Sequence, residues 1–277
     1  MPDRLEALLN HFSVRAHMFH SGALCGVNEL PAQGGLGQLH LIKAGPIEVS
    51  HAGQPPLLVS EPSLLLYPRP LTHRFVSDPK RGADMACANL QFDGGASNPI
   101  ATALPDFLCI RLDAVAGIDS VLALLFEEAF ETRCGRQALV DRLFEVVLIQ
   151  VLRYLMESGE IRAGLLAGMS HPKLRLALIA MHEQPARDWS LEALADVAGM
   201  SRTVFADSFR EQIGCTPGGY LQSWRVSLAQ QALRRGRSLK MIAVEVGYGS
   251  EASLSRAFKA QSGVTPREWR QAQAANV

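Results

Sequence analysis

The 277-residue chain lacks the features that mark a membrane or secreted protein. It has no run of about 20 apolar residues, which is the length that a membrane-spanning helix needs. Its first residues, MPDRLEALLN, carry charges where a secretory signal peptide would be apolar. We therefore expect a cytoplasmic protein with no membrane partner.

Cysteine is scarce, and its spacing excludes two common roles. The number of cysteines is odd and no two of them form a CxxC pair. This pattern fits neither the disulfide framework of a small secreted domain nor a structural zinc site. The five cysteines are Cys25, Cys87, Cys109, Cys134 and Cys215.

Net charge is also absent, because 27 basic and 27 acidic side chains cancel. The two signs are nevertheless separated along the chain. Residues 170–277 contain 14 Lys and Arg against 9 Asp and Glu, whereas residues 1–169 contain 13 against 18. A basic C-terminal part indicates a nucleic-acid partner, although ordinary variation in surface charge would give the same numbers.

The N-terminal part favours β structure. LGQLHLIKAGPIEVSHAG contains two alternating runs joined by a Gly-Pro turn, SLLLYP is a short apolar run, and ADMACANLQF predicts another strand. Many short strands separated by Gly and Pro are typical of a small barrel or jelly roll. A helix is predicted before them, in DRLEALLNHF.

From about residue 118 the apolar residues follow helical spacing, in DSVLALLFEEAFE and RQALVDRLFEVVLIQVLRYLMES. The second stretch is apolar around most of its circumference, so we expect it to be buried on two sides, within one subunit or against a second copy. GLLAGMSHP, at 164–172, is typical of a boundary, and short helices are predicted beyond it. The predicted fold class is α+β, with a β-barrel followed by helices and then an all-α C-terminal domain.

The C-terminal part contains an internal repeat. SLEALADVAGMSRTVFADSFREQIGCTP matches SLKMIAVEVGYGSEASLSRAFKAQSGVTP at an offset of 48 as far as Gly199 and Gly247, and at an offset of 49 beyond them. The second copy therefore has one extra residue in its turn. A match in register indicates that one supersecondary unit is used twice.

Each copy predicts two short helices joined by a glycine turn, which is a helix-turn-helix. Serines stand where N-caps are needed, and glycines stand where the helices end. The second helix is polar outside, as a helix in a DNA major groove would be. The N-cap candidates are Ser190, Ser201, Ser238 and Ser250, and the residues assigned to the buried face of the second helices are Val204, Phe205, Phe209, Leu254 and Phe258.

One helix, PGGYLQSWRVSLAQQALRRG, is predicted to join the two units. About 18 residues at 1.5 Å per residue span roughly 27 Å, which is near the ~34 Å of one DNA turn. Two recognition helices could then enter successive segments of the major groove on one face of double-stranded DNA. A purely structural helical repeat is the alternative, and the polar outer faces of both second helices oppose it.

Residues 173–271 resemble the C-terminal DNA-binding domain of AraC/XylS-type transcription regulators. The resemblance is carried by RVSLAQQALRRGRSLKMIAVEVGYGSEASLSRAFKAQSGVTPREWR, which includes Arg225, Gly247-Tyr248, Phe258-Lys259 and the closing Gly-x-Thr-Pro. It implies a sequence-specific, DNA-binding transcription regulator. RNA polymerase is an implied partner if the protein is an activator.

PSLLLYPRPLTHRF resembles the second motif of the cupin sensor domains found in a subset of that family, with His73 at the histidine position. The first cupin motif departs from the pattern, because only His40 stands where a His-x-His pair is expected. The resemblance implies a cupin-like sensor and dimerisation domain at 1–168, a DNA-binding domain at 169–277, and a homodimer formed through the first. Without the His-x-His pair we expect His73 to be a core histidine, and we expect no metal, no other cofactor and no enzymatic activity.

The family's recognition positions fall on the second helix of each copy. Arg256 is the strongest candidate for reading a base, because a guanidinium can pair with guanine O6 and N7. Glu251 could accept a hydrogen bond from cytosine N4, and Asp207, at the position of Arg256 in the first copy, could do the same or contribute less. Arginine and lysine elsewhere on these helices would hold phosphates. The predicted DNA-binding residues are Arg202, Thr203, Asp207, Arg210, Glu251, Ser253, Ser255, Arg256 and Lys259.

Three hypotheses for the sensor stay open on the sequence. A small ligand could enter the barrel. Alternatively, Cys25 and Cys87 could sense an oxidant, since the sequence resembles regulators of this subset that use two cysteines at matching places. The domain could also serve only for dimerisation.

Overall fold

The computed structural model describes residues 3–32 and 34–274. They divide into two compact units, one formed by Ser13–Ser158 and the other by residues 3–12 together with 159–274. The first unit contains all the strands of the described residues and the second is helical, so the predicted α+β class is confirmed. No helix in the described ranges combines the length and the apolarity that crossing a membrane requires.

The barrel unit has two antiparallel sheets, as the predicted jelly roll requires. One sheet has the strand order β1-β8-β3-β6-β9 and the other has the order β2-β7-β4-β5. Their buried side chains, among them Ile42, Tyr67 and Phe75, form one core cluster. The strands are β1 Val14–Leu24, β2 Val27–Leu30, β3 Gly37–Ala44, β4 Ile47–His51, β5 Leu57–Val59, β6 Ser63–Tyr67, β7 His73–Ser77, β8 Ala83–Phe92 and β9 Leu108–Arg111.

The predicted Gly-Pro turn carries the chain from one sheet to the other. β3 and β4 flank it and belong to different sheets. Gly45 has a φ of +91°, and a Cβ built on it would stand 2.9 Å from the Gly82 carbonyl oxygen. Glycine is therefore required at this crossing by both backbone conformation and space.

The described part of the barrel unit also contains α-helices, two of which pack on β1. They are α2 Pro99–Ala103, α3 Asp119–Phe130 and α4 Arg136–Ser158, of which α3 and α4 contact β1. Asp141 on α4 accepts a hydrogen bond from the Met18 backbone N–H at 2.8 Å. The outer side of α4 stays partly open, with Leu139 and Val146 exposed at 40% and 38%. The expected burial of α4 on two sides is therefore incomplete within this chain.

The helical unit begins with the N-terminal helix and continues after the barrel. Its helices are α1 Glu6–His11, α5 Leu165–Ser170, α6 Leu174–Glu183, α7 Leu191–Ala198, α8 Arg202–Ile213, α9 Pro217–Arg234, α10 Leu239–Glu245, α11 Glu251–Ser262 and α12 Pro266–Ala274. The helix predicted in DRLEALLNHF is α1. It groups with this unit, whereas the predicted division placed residues 1–168 together.

The segment at 164–172, predicted as a boundary, contains the buried helix α5. A Cβ on Gly168 would stand 2.1 Å from Cδ1 of Ile213 and 2.8 Å from Cδ1 of Leu178. Gly168 therefore marks close packing of α5 on α6 and α8, and not a flexible linker. The two units divide between Ser158 and Gly159, shortly before this segment.

Candidate nucleic-acid interface

The repeat folds into two helix-turn-helix units of the same design. α7 and α8 form the first unit and α10 and α11 form the second. Each predicted serine caps its helix: the hydroxyls of Ser190, Ser201, Ser238 and Ser250 accept hydrogen bonds from the backbone N–H three residues on. The caps satisfy amide groups that the first turn of a helix leaves without partners.

The two glycine turns differ in how tightly they are enclosed. Gly199 has a φ of +60° and open space around the position of a Cβ. Gly247 has a φ of +85°, and a Cβ there would stand 2.7 Å from the Ala186 Cα and 2.8 Å from its carbonyl oxygen. The second turn therefore rests against the backbone between α6 and α7, whereas the first does not.

The buried face of the recognition helices is formed by phenylalanines and Leu254, as predicted. Phe205, Phe209 and Phe258 are fully buried. The assignment of Val204 to this face is wrong, since its side chain is 54% exposed. At about 100° per residue, Val204 lies 100° from Phe205 and 140° from Phe209 around the axis of α8. Counting this angle on the sequence would have placed Val204 outside.

The predicted positions on α8 all lie on its exposed side. Arg202, Thr203, Asp207 and Arg210 are exposed. In the described part of the chain no side-chain hydrogen bond or ion pair engages any of the four, so their polar groups are available to a partner. The positive charges of the two arginines are matched by the negative charges of Asp207 and Glu211. The outer face of α8 therefore carries no net charge.

The predicted positions on α11 are less uniform. Glu251, Arg256 and Lys259 are exposed, whereas Ser253 and Ser255 are half-buried. The Ser253 hydroxyl donates to the Ser250 carbonyl oxygen at 2.8 Å and accepts from the Ser250 backbone N–H at 3.2 Å. Ser253 therefore completes a capping box at the start of α11, and this use competes with the predicted contact to DNA.

The joining helix α9 has the predicted 18 residues, about 27 Å at 1.5 Å per residue. Arg225 on α9 donates to the Pro185 carbonyl oxygen at 2.7 Å and to the Arg187 carbonyl oxygen at 2.8 Å. Its guanidinium also lies over the Tyr248 ring, 5.6 Å from the ring centre. Arg225 therefore ties the second turn to the loop before α7.

A cleft of about 500 Å³ is bounded by the loop before α7, the joining helix α9 and the second helix-turn-helix unit. Trp189, Leu221, Arg225, Tyr248 and Arg256 are among the residues that line it. Arg256 therefore lines an open surface that includes the loop before α7, the joining helix and the second unit. The sequence patterns did not predict this cleft, because its walls come from segments up to about 70 residues apart.

A series of contacting aromatic rings packs against the buried side of the first helix-turn-helix unit. Phe12, at the end of α1, packs edge-on against Trp224, with 5.2 Å between ring centres. Trp224 stacks on His182 at 4.0 Å, and the His182 Nε2 lies 2.6 Å from the Tyr220 hydroxyl. Tyr220 in turn contacts Phe209 on α8, with 5.8 Å between centres. The core under the first recognition helix thus extends to α1.

The cupin histidines form a packed cluster in the barrel. His40 and His73 are buried, and their Nε2 atoms lie 3.1 Å apart. His73 stacks on Tyr67 with 4.0 Å between ring centres, and burial lowers the pKa of His73 to about 4. In residues 3–32 and 34–274 no set of three or more His, Cys, Asp or Glu side chains is arranged to hold a metal.

The two predicted redox cysteines are not brought together. Cys25 follows β1 and is exposed, whereas Cys87 lies in the middle of β8 and is buried. The end of β1, Leu24, pairs with Ala83, four residues and about 13 Å along β8 from Cys87. A disulfide needs Cα atoms within about 7 Å, so these two thiols cannot form one in this fold. Oxidant sensing at either thiol stays a prediction.

Cys87 has histidine neighbours on both adjacent strands. It pairs with His20 on β1 and with His40 on β3, and directly opposed residues project from the same face of a sheet. Burial strongly raises the pKa of its thiol, so the reactive thiolate is disfavoured.

A double-sheet barrel followed by two helix-turn-helix units on one joining helix is the architecture of a DNA-binding regulator with an N-terminal barrel domain. A family model described as "Cupin" matches residues 3–157, and one described as "Helix-turn-helix domain" matches residues 194–272. The chain belongs to the AraC-type regulators with a cupin N-terminal domain.

Two relatives are transcriptional regulators and not enzymes. An HTH-type transcriptional regulator of Haemophilus influenzae is 34% identical over 187 residues, which are 67% of this chain and 62% of the relative. The RCS-specific HTH-type transcriptional activator RclR of Escherichia coli is 28% identical over 214 residues, 76% of this chain and 75% of the relative. The chain thus spans less than two thirds of the length of the Haemophilus relative.

Among solved structures, the DNA-binding domain of AdpA in complex with a target DNA is 31% identical and covers 36% of this chain. The match takes in 90% of that chain, with a TM-score of 0.34.

Proposed function

We propose that the protein is a transcription regulator whose two recognition helices enter successive segments of the major groove of double-stranded DNA. The observation that carries this proposal is the pair of capped helices α8 and α11, which expose polar side chains and bury only their inner faces. The length of α9, about 27 Å, supports placement of both helices on one side of a duplex.

Arg256 is the main base-reading residue in this proposal. It is exposed, it has no ion-pair partner among the described residues, and its guanidinium can bind guanine O6 and N7 together. Arg202, Arg210 and Lys259 hold phosphates and set the register, and Glu251 accepts from cytosine. Ser255 supplies a further polar contact.

The experiment begins with duplexes selected from a random pool by the wild-type protein. Arg256→Ala should weaken binding to the selected duplex by about 1–3 kcal/mol and relax the preference at one base pair. Arg210→Ala should weaken all duplexes by a similar factor and lower the salt dependence, because it removes a phosphate contact. Lys240→Ala, at an exposed position of α10, is the control. An Arg256→Ala protein with the same sequence preference as wild type would contradict the proposal.

We further propose that the cupin unit forms a homodimer and controls DNA binding. The partly exposed Leu139 and Val146 on α4 support an interface there, and a Leu139→Asp variant should sediment as a monomer where wild type sediments as a dimer. A wild-type protein that sediments as a monomer at micromolar concentration would contradict the dimer.

If the regulator is an activator, RNA polymerase is its second partner.

Oxidation at cysteine is the signal that we propose to test first, because the relative RclR is named as RCS-specific. Cys25 is the more accessible thiol, whereas Cys87 is buried with a raised pKa. In a reporter strain challenged with an oxidant, Cys25→Ser should lose more of the response than Cys87→Ser. A response that survives in both single variants and in the double variant would exclude cysteine sensing.

A further inference from the structure

Val204 stands out on the surface of the first recognition helix. It is the third residue of α8 after the cap Ser201, and its side chain is 54% exposed. Asp207, three residues on, is its neighbour on the helix surface, and Thr203, which precedes it, is also exposed. A single exposed valine is ordinary on a protein surface, so its position has to carry the argument.

The side chain at that position takes no part in the core of the unit, although its backbone N–H donates to the Ser201 cap. Phe205 and Phe209 fill the core beneath α8, and Val204 projects away from both. At the matching position of α11 stands Ser253, whose hydroxyl closes a capping box. The first copy has no such use for residue 204, and it places two methyl groups in solvent instead.

The charges around α8 show which edge of the helix Val204 occupies. At about 100° per residue, Arg202 and Arg210 fall toward one edge, whereas Asp207 and Glu211 fall toward the edge that holds Val204. Phosphates attract the basic edge and repel the acidic one. The edge with Val204 is therefore suited to base edges, which the first turn of a recognition helix usually contacts.

The chemistry of the side chain then limits its partner. Valine has no hydrogen-bonding group, and the one apolar group that B-DNA displays in the major groove is the C5 methyl of thymine. We propose that Val204 contacts a thymine methyl, so that the first helix-turn-helix selects an A·T pair through this contact. The proposal rests on the proposed function, because it requires α8 to enter the major groove.

The test removes the methyl group from DNA and from the protein separately. Each thymine of a duplex selected by the wild-type protein is replaced in turn by uracil, which lacks only the C5 methyl. At one position in the half-site of α8, the replacement should weaken wild-type binding about fourfold, the equivalent of leaving one methyl group unburied. Fluorescence anisotropy gives the Kd of each duplex.

The matching protein change is Val204→Ala. It should bind the thymine and uracil duplexes equally at that position and keep the wild-type response at every other thymine. Val204→Thr, which retains one methyl group near the same place, should restore part of the difference. Val244→Ala, at a 69% exposed position on α10, should leave the whole profile unchanged.

Two results would overturn the proposal. One is a wild-type profile with no uracil-sensitive position in the half-site of α8, and the other is the same sensitivity in Val204→Ala as in wild type. Both presuppose specific binding, so they differ from failure of the proposed function, in which no duplex is selected or Arg256→Ala keeps its sequence preference. Equal unfolding midpoints for wild type and Val204→Ala establish that the variant is folded.

Discussion

The two helix-turn-helix units have one backbone plan and two different surfaces. Asp207 in the first unit stands where Arg256 stands in the second, and Val204 stands where Ser253 closes a capping box. The supporting contacts differ too. Phe209 on α8 packs against Tyr220, whereas Phe258 on α11 packs against Trp269 and the second turn is pressed on Ala186. Repetition of a fold has therefore preserved the caps and glycines while the groups that face outward have diverged.

The largest difference between the units is expected at their glycine turns. Gly199→Ala should cost roughly 1–2 kcal/mol of unfolding free energy, the cost of a left-handed conformation for alanine. Gly247→Ala should cost at least about 2 kcal/mol more, because its Cβ would meet the backbone at Ala186 and force the two segments apart. Urea unfolding of the full chain measures both. Equal losses of unfolding free energy in the two variants would mean that the backbone at Ala186 can move to accommodate the new Cβ without a loss of stability.

A second difference is expected as the pH falls. Burial, with the nearby His11, lowers the pKa of His182 from 6.5 to about 3, and α10–α12 contain no histidine. His182 stays neutral in the folded state but gains a proton near pH 6.5 when unfolded. Its stabilising contribution is therefore present above pH 6.5 and is lost as the pH falls toward 3, by roughly 2 kcal/mol between pH 8 and pH 5.

The replacement His182→Gln isolates this contribution from those of the other histidines. The difference in unfolding free energy between wild type and His182→Gln should shrink by that amount as the pH is lowered from 8 to 5. The pH-dependent contributions of His40, His51 and His73 to the unfolding free energy cancel in this difference, because both proteins contain these residues. A difference that stays constant with pH would show that the pKa of His182 is the same in the folded and unfolded states.

The smallest difference is expected at the caps of the recognition helices. Ser250 takes part in a reciprocal box with Ser253, whereas Ser201 makes a single bond of 3.4 Å to the Val204 backbone N–H. Ser250→Ala should cost about 1–2 kcal/mol and Ser201→Ala about 0.5–1 kcal/mol. Thermal unfolding of both variants, with Ser262→Ala near the end of α11 as a control, measures the contrast. A larger loss of stability in Ser201→Ala than in Ser250→Ala would mean that the reciprocal box does not make the cap of α11 the stronger one.

Structural features that depend only on residues close together in the chain were predictable from the sequence. A cap depends on a serine three residues before its amide partner, and a glycine turn depends on its own φ, so the repeat could be interpreted position by position. The helix α9 followed from its spacing in the same way. The predicted DNA-binding residues lie on the exposed or half-buried side of α8 and α11 for that reason.

Features that depend on distant partners were not predictable. Nothing within α1 indicates that Phe12 will contact Trp224, and nothing near Gly45 indicates that β3 and β4 join different sheets. The separation of Cys25 from Cys87 likewise follows from the pairing of β1 with β8, which no local pattern specifies. Val204 is a different case, because its angle around α8 follows from the sequence alone.

The contact between Phe12 and Trp224 has a consequence for how the chain folds as it is made. At roughly 5–20 residues per second, α1 leaves the ribosome about 10–40 s before its partner in α9 does. A six-residue helix is not stable alone in water, so Leu8 and Phe12 stay uncovered throughout that time. The barrel unit is complete before the helical unit can close, and nascent chains stalled between residues 158 and 224 should be the form that chaperones hold.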